Sequence, residues 1–526
     1  MKRMVFVFFS ITFFYFFISR SFGEPISSWN YTVNITPNSD IAFDVANDSS
    51  DNIIVVGYDN LQKIYQQRIM KLDKNKNSLW NYTENSNWYK SMAQSVAVDK
   101  DDNITVVGCN NKTGLDFDWQ IMKLDKNGNS LWNYTTKHSY YEDRAWSVAV
   151  DNESNIIVVG YDNSTGHNQW QIMKLDKNKN SLWNYTYNPN SYDAKAYGVA
   201  VDKDNNITVV GFDNSTGNVE WHIMKLDKDK NSLWNITPKL SPDPNPDYAW
   251  DVVTDSFNNI IVVGSESLSS SDQRWLIMKL APNGTSIWNY TDSPSIYSDH
   301  AWGVDTDNNN NIIVVGYDKN LTSPFDYQWR IIKLAPDKTS IWNYTLNISS
   351  GDDEAKSVVV DKDNNFIVVG YDRNTGPPLN FEWTIRKFSD APDCGDSKFE
   401  PWKGEECEKS LLNKDAPCPP FAKCNSTCQC EDFGPIMLGC NYYDYCENGH
   451  VPNNLGIPCI WGVNCWTQET DYAIITLIND TCQDGGWANH TWMTCPNGTA
   501  VCGNPYCETG ESSDPFSPNY CLECVP

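Results

Sequence analysis

Four kinds of short apolar run recur in fixed order along most of this chain. In one unit they read "AWSVAVD" (145–151), "NIIVVGYD" (155–162), "WQIMKLD" (170–176) and "SLWNYT" (181–186). Each is five to eight residues long, rich in β-branched or aromatic residues, and alternates or runs apolar. Between them stand turn clusters such as Asp99-Lys100-Asp101-Asp102-Asn103 and Asp125-Lys126-Asn127-Gly128-Asn129. Runs of that length bounded by Asp, Asn and Gly predict antiparallel strands joined by hairpins. No apolar stripe with a period of 3.6 residues accompanies them, which excludes a helical solenoid.

The repeat is regular enough to count. Trp-Asn followed by Tyr or Ile and then Thr occurs at Trp29, Trp80, Trp132, Trp183, Trp234, Trp288 and Trp342. The first run begins at Ala42, Ala93, Ala145, Ala196, Ala249, Ala301 and Ala355. The second ends at Gly57, Gly108, Gly160, Gly211, Gly264, Gly316 and Gly370, and the third carries Lys71, Lys123, Lys174, Lys225, Lys279, Lys333 and Lys387. Four strands every 50-odd residues is the period of a β-propeller blade. Counted from Ala42, seven units supply strands one to three, but the seventh has no Trp-Asn strand after it. The orphan copy at Trp29 precedes the first unit and supplies the missing strand. The expectation is an all-β, seven-bladed β-propeller over 27–389, closed by its N-terminal strand.

Small residues on the first strand (Ala145, Ser147, Ala149) suit the crowded axis, and the Trp residues of the third and fourth strands fill the wider gaps toward the rim. The seven Lys and the seven Asp that end the first strands recur in register and are expected to pair.

The string "DKDNNITVVGFDNSTGNVEWHIMKLDKDKNSLWN" (202–235) resembles the bacterial and archaeal β-propeller repeat called SBBP, found in exported surface proteins. "CGDSKFEPWKGEEC" (394–407) and "CGNPYCETGES" (502–512) are similar to the C-G-[DN]-G…E-x-G-E opening of cysteine-rich repeats of exported microbial proteins, with Ser397 and Pro505 in place of the second Gly. Neither resemblance implies a defined activity; both imply surface or extracellular binding modules.

The ends of the chain fit that setting. Lys2 and Arg3 precede an apolar run from Met4 to Ile18, and Ser21 and Gly23 suit cleavage before Glu24. Residues 1–23 therefore read as a signal peptide. The rival, a retained anchor, needs a longer span, so no transmembrane anchor is expected after removal. Of 17 cysteines, only Cys109 lies outside the last segment. The other 16 are Cys394, Cys407, Cys418, Cys424, Cys428, Cys430, Cys440, Cys446, Cys459, Cys465, Cys482, Cys495, Cys502, Cys507, Cys521 and Cys524. In an exported chain they predict a disulfide-stabilised region over 394–526, of undetermined connectivity. A metal site around Cys521 and Cys524 is the alternative. Cys109 reads as an inert buried thiol.

With 40 basic against 67 acidic residues the formal charge is −27, which argues against nucleic acid as partner. Glycan or protein at the cell surface is the expected partner. The hairpins after the first and third strands are uniform, whereas the connections after the second and fourth strands vary and emerge at the opposite end. The varied end carries Trp88, Tyr89, Tyr140, Tyr141, Tyr192 and Tyr248, candidate contact residues. Two residues after the second-strand Gly stand Asp59, Asp162, Asp213, Asp318 and Asp372, with Asn110 and Glu266 in the other two units; the Asp are candidate ligand contacts or caps of their own turns. No metal site is expected, and no cofactor. Asp-x-Asp-x-Asn at 99–103, 202–206 and 361–365 resembles the start of a Ca²⁺ loop, so calcium stays a minor possibility, but the downstream Glu is missing. Sequons are abundant, and Asn81, Asn133, Asn184, Asn235, Asn289 and Asn343 of the Trp-Asn motifs are candidate glycosylation sites on the outermost strand. An extracellular enzyme (polysaccharide lyase, hydrolase or quinoprotein) is the alternative to a binding module, but no unit carries a unique cluster of acid, base and cation ligand.

Overall fold

The computed structural model describes residues 25–390, apart from 34–35, 37, 62–63, 85–89, 112–115, 137–140, 189–191, 241–244, 270–271, 296, 320–325 and 375–379. Beyond residue 390 it describes five short strands alone. The chain divides into two compact units, Met1–Asp390 and Ala391–Pro526.

In the first unit each predicted run is a strand, and consecutive runs pair antiparallel into four-stranded sheets. One sheet, for example, orders Arg144–Val150, Ile156–Asp162, Gln169–Leu175 and Ser181–Tyr187. The same order recurs at 194–236, 248–292 and 300–346. The sets at 41–83 and 90–136 are joined into one eight-stranded sheet by a single parallel bridge, Tyr65 to Lys90. In the last sheet the outer position beside Asn380–Ser389 is taken by Ile26–Val33, with Tyr31 opposite Ile385. These repeated four-stranded sheets are consistent with a β-propeller.

Packing between sheets follows from the residues. The middle of each second strand is buried on both faces, so it reads as an unbroken run without alternation, Ile156-Ile157-Val158-Val159 in one sheet. One face of each sheet meets the next. Ile157, Val159, Trp170 and Ile172 pack against Ala196, Val199, Ile207 and Val209 of the following sheet. The last sheet packs back on the first, with Trp383, Ile385 and Ile367 against Ala42, Val45 and Ile53. A third-strand Trp ties each junction. Trp170 Nε1 donates to the Phe212 carbonyl at 3.0 Å, and Trp383 Nε1 donates to the Tyr58 carbonyl at 3.1 Å. The backbone carbonyl of the paired first strand explains the Gly within each second strand, and at several junctions the tryptophan adds to it. A Cβ on Gly264 would stand 2.0 Å from the Tyr248 carbonyl oxygen and 2.8 Å from the Trp221 ring.

One junction departs from the rule. The first sheet has Gln67 where the others carry this Trp, and the neighbouring second strand has Cys109 where the others carry Tyr, Phe or Ser. Cys109 is fully buried against Met92 and Tyr58. Burial pushes its thiol up to about 12, which leaves it inert at neutral pH.

The expected Lys–Asp pairing is present in every unit. Lys71–Asp48, Lys123–Asp99, Lys174–Asp151, Lys225–Asp202, Lys279–Asp255, Lys333–Asp307 and Lys387–Asp361 lie 2.7–3.0 Å apart within their own sheets. The same Asp closes the hairpin that follows it. Asp202 accepts the backbone N–H of Asp204 and Asn206 and the Asn206 amide, while Asn205 takes the left-handed turn position at φ 63°. The Asp-x-Asp-x-Asn stretches are therefore hairpin turns with occupied carboxylates.

Of the second unit the described strands are Ala422–Cys424, Cys430–Asp432, Ile474–Leu477, Thr491–Thr494 and Ala500–Val501. Cys424 stands opposite Cys430 in the first antiparallel pair. The remaining predicted disulfide cysteines lie outside the described residues, as does the leader.

Candidate functional site

The described structure puts the sequence-predicted residues in three different situations. Trp88, Tyr89 and Tyr140 lie outside the described residues. Tyr141 and Tyr192 stand exposed at 61% and 48% at the varied end. Tyr248 begins a first strand, half-buried, with its ring stacked on Trp250 at 5.2 Å.

The second-strand carboxylates do not face the end of the sheets. Asp59, Asp162, Asp213, Asp318 and Asp372 are all buried, and third-strand side chains engage them. Asp59 meets Arg68, Asp318 meets Arg330, and Asp372 accepts the Thr384 hydroxyl. Asp162 takes the amides of Gln169 and Gln171, and Asp213 takes the Tyr187 hydroxyl beside His222. Asp162 and Asp213 also accept the backbone N–H two residues on, which is the turn-capping alternative. Burial raises Asp372 to about 6 against the pull of the Thr384 bond.

The first strands gather a different set of residues at the varied end. Each has a register irregularity just after its Ala, for instance between Ala249 and Asp251. The residue at that bulge is Phe43, Gln94, Trp146, Tyr197, Trp250, Trp302 or Lys356 in successive units. A bulge re-aims its side chain, and here the re-aimed rings touch from sheet to sheet. Trp146 meets Tyr197 at 5.2 Å, Tyr197 meets Trp250 at 4.5 Å, and Trp250 meets Trp302 at 4.5 Å. The Lys356 ammonium caps the series, 4.1 Å over the Trp302 ring. All four rings are half-buried. The indole N–H groups of Trp146, Trp250 and Trp302 are shielded and find no hydrogen-bond acceptor among the described residues.

The position before each Ala varies as widely: Ile41, Met92, Arg144, Lys195, Tyr248, His300 and Glu354. Glu354 pairs with Lys356 at 2.5 Å, and Arg144 pairs with Glu142. His300 lies between Trp302 and Tyr317, and burial lowers it to about 4, so it is neutral at pH 7. Farther along the same strands, Asp251 and Asp305 accept backbone N–H bonds from Val304 and Val360 of the neighbouring sheets. Burial raises them to about 7 and about 6.

Apart from Tyr248, neither row is among the sequence-predicted residues. Their signal is present in the sequence: following an invariant Ala and two before an invariant Val, one position runs Phe, Gln, Trp, Tyr, Trp, Trp, Lys. The arrangement offers flat apolar ring faces, inward-held N–H donors and a few charges. That is equipment for holding a ligand. Among the described residues no group of three or more His, Cys, Asp or Glu side chains is gathered as a metal site requires.

The all-β fold of repeated four-stranded antiparallel sheets is consistent with a β-propeller. The chain is similar to a virginiamycin B lyase from Staphylococcus aureus, solved with quinupristin, at 10% identity over 69% of this chain and 99% of that one, with a TM-score of 0.40. It is also similar to the polysaccharide lyase Uly1, at 9% identity over 68% and 91%, TM-score 0.45. A gluconolactonase from Xanthomonas campestris matches at 10% identity over 70% and 99%, TM-score 0.35. No family model matches the chain, and no curated protein matches it.

Proposed function

We propose that this chain is an exported, non-enzymatic binding module of the cell surface or extracellular space. In this reading it is an SBBP-like, closed seven-bladed propeller with a disulfide-stapled C-terminal region, and it captures a glycan at the varied end. The observation that carries the proposal is the arc Trp146–Tyr197–Trp250–Trp302, in which half-buried rings and unpartnered indole donors stand side by side on four consecutive sheets. Sugars present C–H faces that stack on aromatic rings and hydroxyls that accept such donors. Exposed Tyr141 and Tyr192 extend the same end outward. The sheet order supports ring closure, because Ile26–Val33 completes the last sheet and that sheet packs on the first.

The test is a glycan array probed with the secreted protein, its Trp250→Ala and Trp302→Ala variants, and a Lys126→Ala/Asn127→Ala control on the uniform hairpins. Capture lost with either Trp and kept in the control supports the reading. Capture that survives both Trp changes overturns it. No glycan captured, but a protein partner lost with the same Trp variants, would transfer the site to protein recognition. Cleavage of the captured sugar would make the chain an enzyme.

A further inference from the structure

We infer that the glycan is an acidic one, and that Lys195, with Arg144 beside it, receives the sugar carboxylate. This inference rests on the binding reading above and names the chemistry of its ligand. The charges on the two rows of varied positions carry the argument. Glu354 and Lys356 neutralise each other, and His300 is uncharged at pH 7. Arg144 is engaged by Glu142, which also accepts the Tyr161 hydroxyl at 3.2 Å. One charge remains. Lys195, half-buried on the neighbouring sheet, has no hydrogen-bond or ion-pair partner among the described residues. Its ammonium rests 4.2 Å over the Tyr161 ring. Burial lowers its affinity for a proton and Arg144 acts in the same sense, while Glu142 and Asp193 nearby oppose them.

An unpaired, partly desolvated ammonium is costly to hold in a folded protein. It is the more unusual here because the chain carries a formal charge of −27, with acidic side chains in excess. Lys195 stands two residues from Tyr197 and one sheet from Trp146, where the arc of rings begins. A ring stacked on Tyr197 and Trp146 would bring a carboxylate on its edge within reach of Lys195 and the outer face of Arg144. The carboxylates that act on Lys195 are Glu142, taken up by Arg144 and the Tyr161 hydroxyl, and Asp193, which accepts the Asn168 N–H.

The experiment compares a galacturonate hexamer with its fully methyl-esterified form by titration calorimetry at neutral pH. The two probes share the sugar backbone and differ in charge. A charge-assisted contact predicts that the acid binds about tenfold or more tighter than the ester. The advantage should shrink as salt is raised. Lys195→Gln should bring the acid-to-ester ratio close to one, and Lys195→Arg should restore most of it; a thermal melt of each variant checks the fold. Equal binding of acid and ester by the wild type, or a Lys195→Gln variant that keeps the ratio, overturns the acidic-sugar inference and leaves the binding reading standing. Binding of neither probe overturns the inference. The binding reading itself is overturned separately, by glycan capture that survives both Trp250→Ala and Trp302→Ala.

Discussion

Substituting the buried Lys225–Asp202 pair should destabilise the sheets asymmetrically. The two groups are 2.9 Å apart, with side chains 2% and 1% exposed. Breaking a buried pair typically costs about 3–5 kcal/mol, most of it the cost of the charge left behind. In Lys225→Met the charge left is Asp202, which keeps the N–H groups of Asp204 and Asn206 and the Asn206 amide at 2.8–3.0 Å. The expected loss is therefore about 2–3 kcal/mol. In Asp202→Asn the charge left is the ammonium. Its remaining contact among the described residues is the Pro282 carbonyl of the next sheet, at 3.5 Å. That loss should sit near the upper end, about 4–5 kcal/mol. The double variant, which buries no lone charge, should lose less than the two singles combined.

The pH dependence of this pair has a definite sign. Burial pushes the Asp202 carboxyl up, but the bonds from Lys225 and Asn206 outweigh it and hold the group below its usual range. A depressed carboxylate stabilises the fold above its unfolded pKa and loses that stabilisation as pH falls through the folded one. The gap between wild type and Lys225→Met should then be full at pH 7 and narrow below about pH 4. Urea unfolding at pH 7 and pH 3.5 measures both effects. The reasoning fails if Asp202→Asn is tolerated better than Lys225→Met, or if the gap widens in acid.

Three further outcomes follow from the geometry. Asp251, raised to about 7 by burial and by Asp44 and Asp305 nearby, binds its proton more tightly folded than unfolded. Its contribution is complete below about pH 4 and fades as pH rises through 7, by an amount on the order of 4 kcal/mol. Urea midpoints measured from pH 4 to 8 should fall less steeply in Asp251→Asn than in the wild type. Gly264→Ala should abolish soluble secretion or cost more than about 3 kcal/mol, because backbone and a buried Trp block the added methyl; a variant with an unchanged urea midpoint would contradict the packing described. Deleting residues 24–36 removes the strand beside Asn380–Ser389 and should lower the melting temperature markedly, with increased aggregation by light scattering.

Repetition made the architecture legible. A single unit is ambiguous, but a Lys and an Asp that return in every copy at fixed separation announce a pairing, and the sheets contain it each time. The same repetition hid the site. Trp146 and Trp250 sit inside strands of the repeat, where a lone Trp reads as core. Their contact from sheet to sheet becomes visible only when a bulge, which no composition signals, turns them toward the neighbouring sheets. The second-strand carboxylates left two readings open, ligand contacts or turn caps, and Asp162 and Asp213 do cap their turns. What their regular spacing could not give is the third-strand partner, which varies between copies: Arg68, Gln171, His222, Arg330 and Thr384. The pairs Gln67 and Cys109 could be read as substitutions in the repeat, but not as one coupled change at one junction until their contacts were known.

The strand Ile26–Val33 also bears on how the first unit would respond to load. Ile26 stands opposite Ser389, so the chain enters and leaves the sheet at one corner. A pull applied through both ends would separate these strands from that corner inward, breaking the ladder bond by bond like a zipper instead of shearing all of it at once. Rupture in that mode needs little force, so a tether on each side would make this outer strand a mechanical fuse. It would part first and spare the sheets behind it.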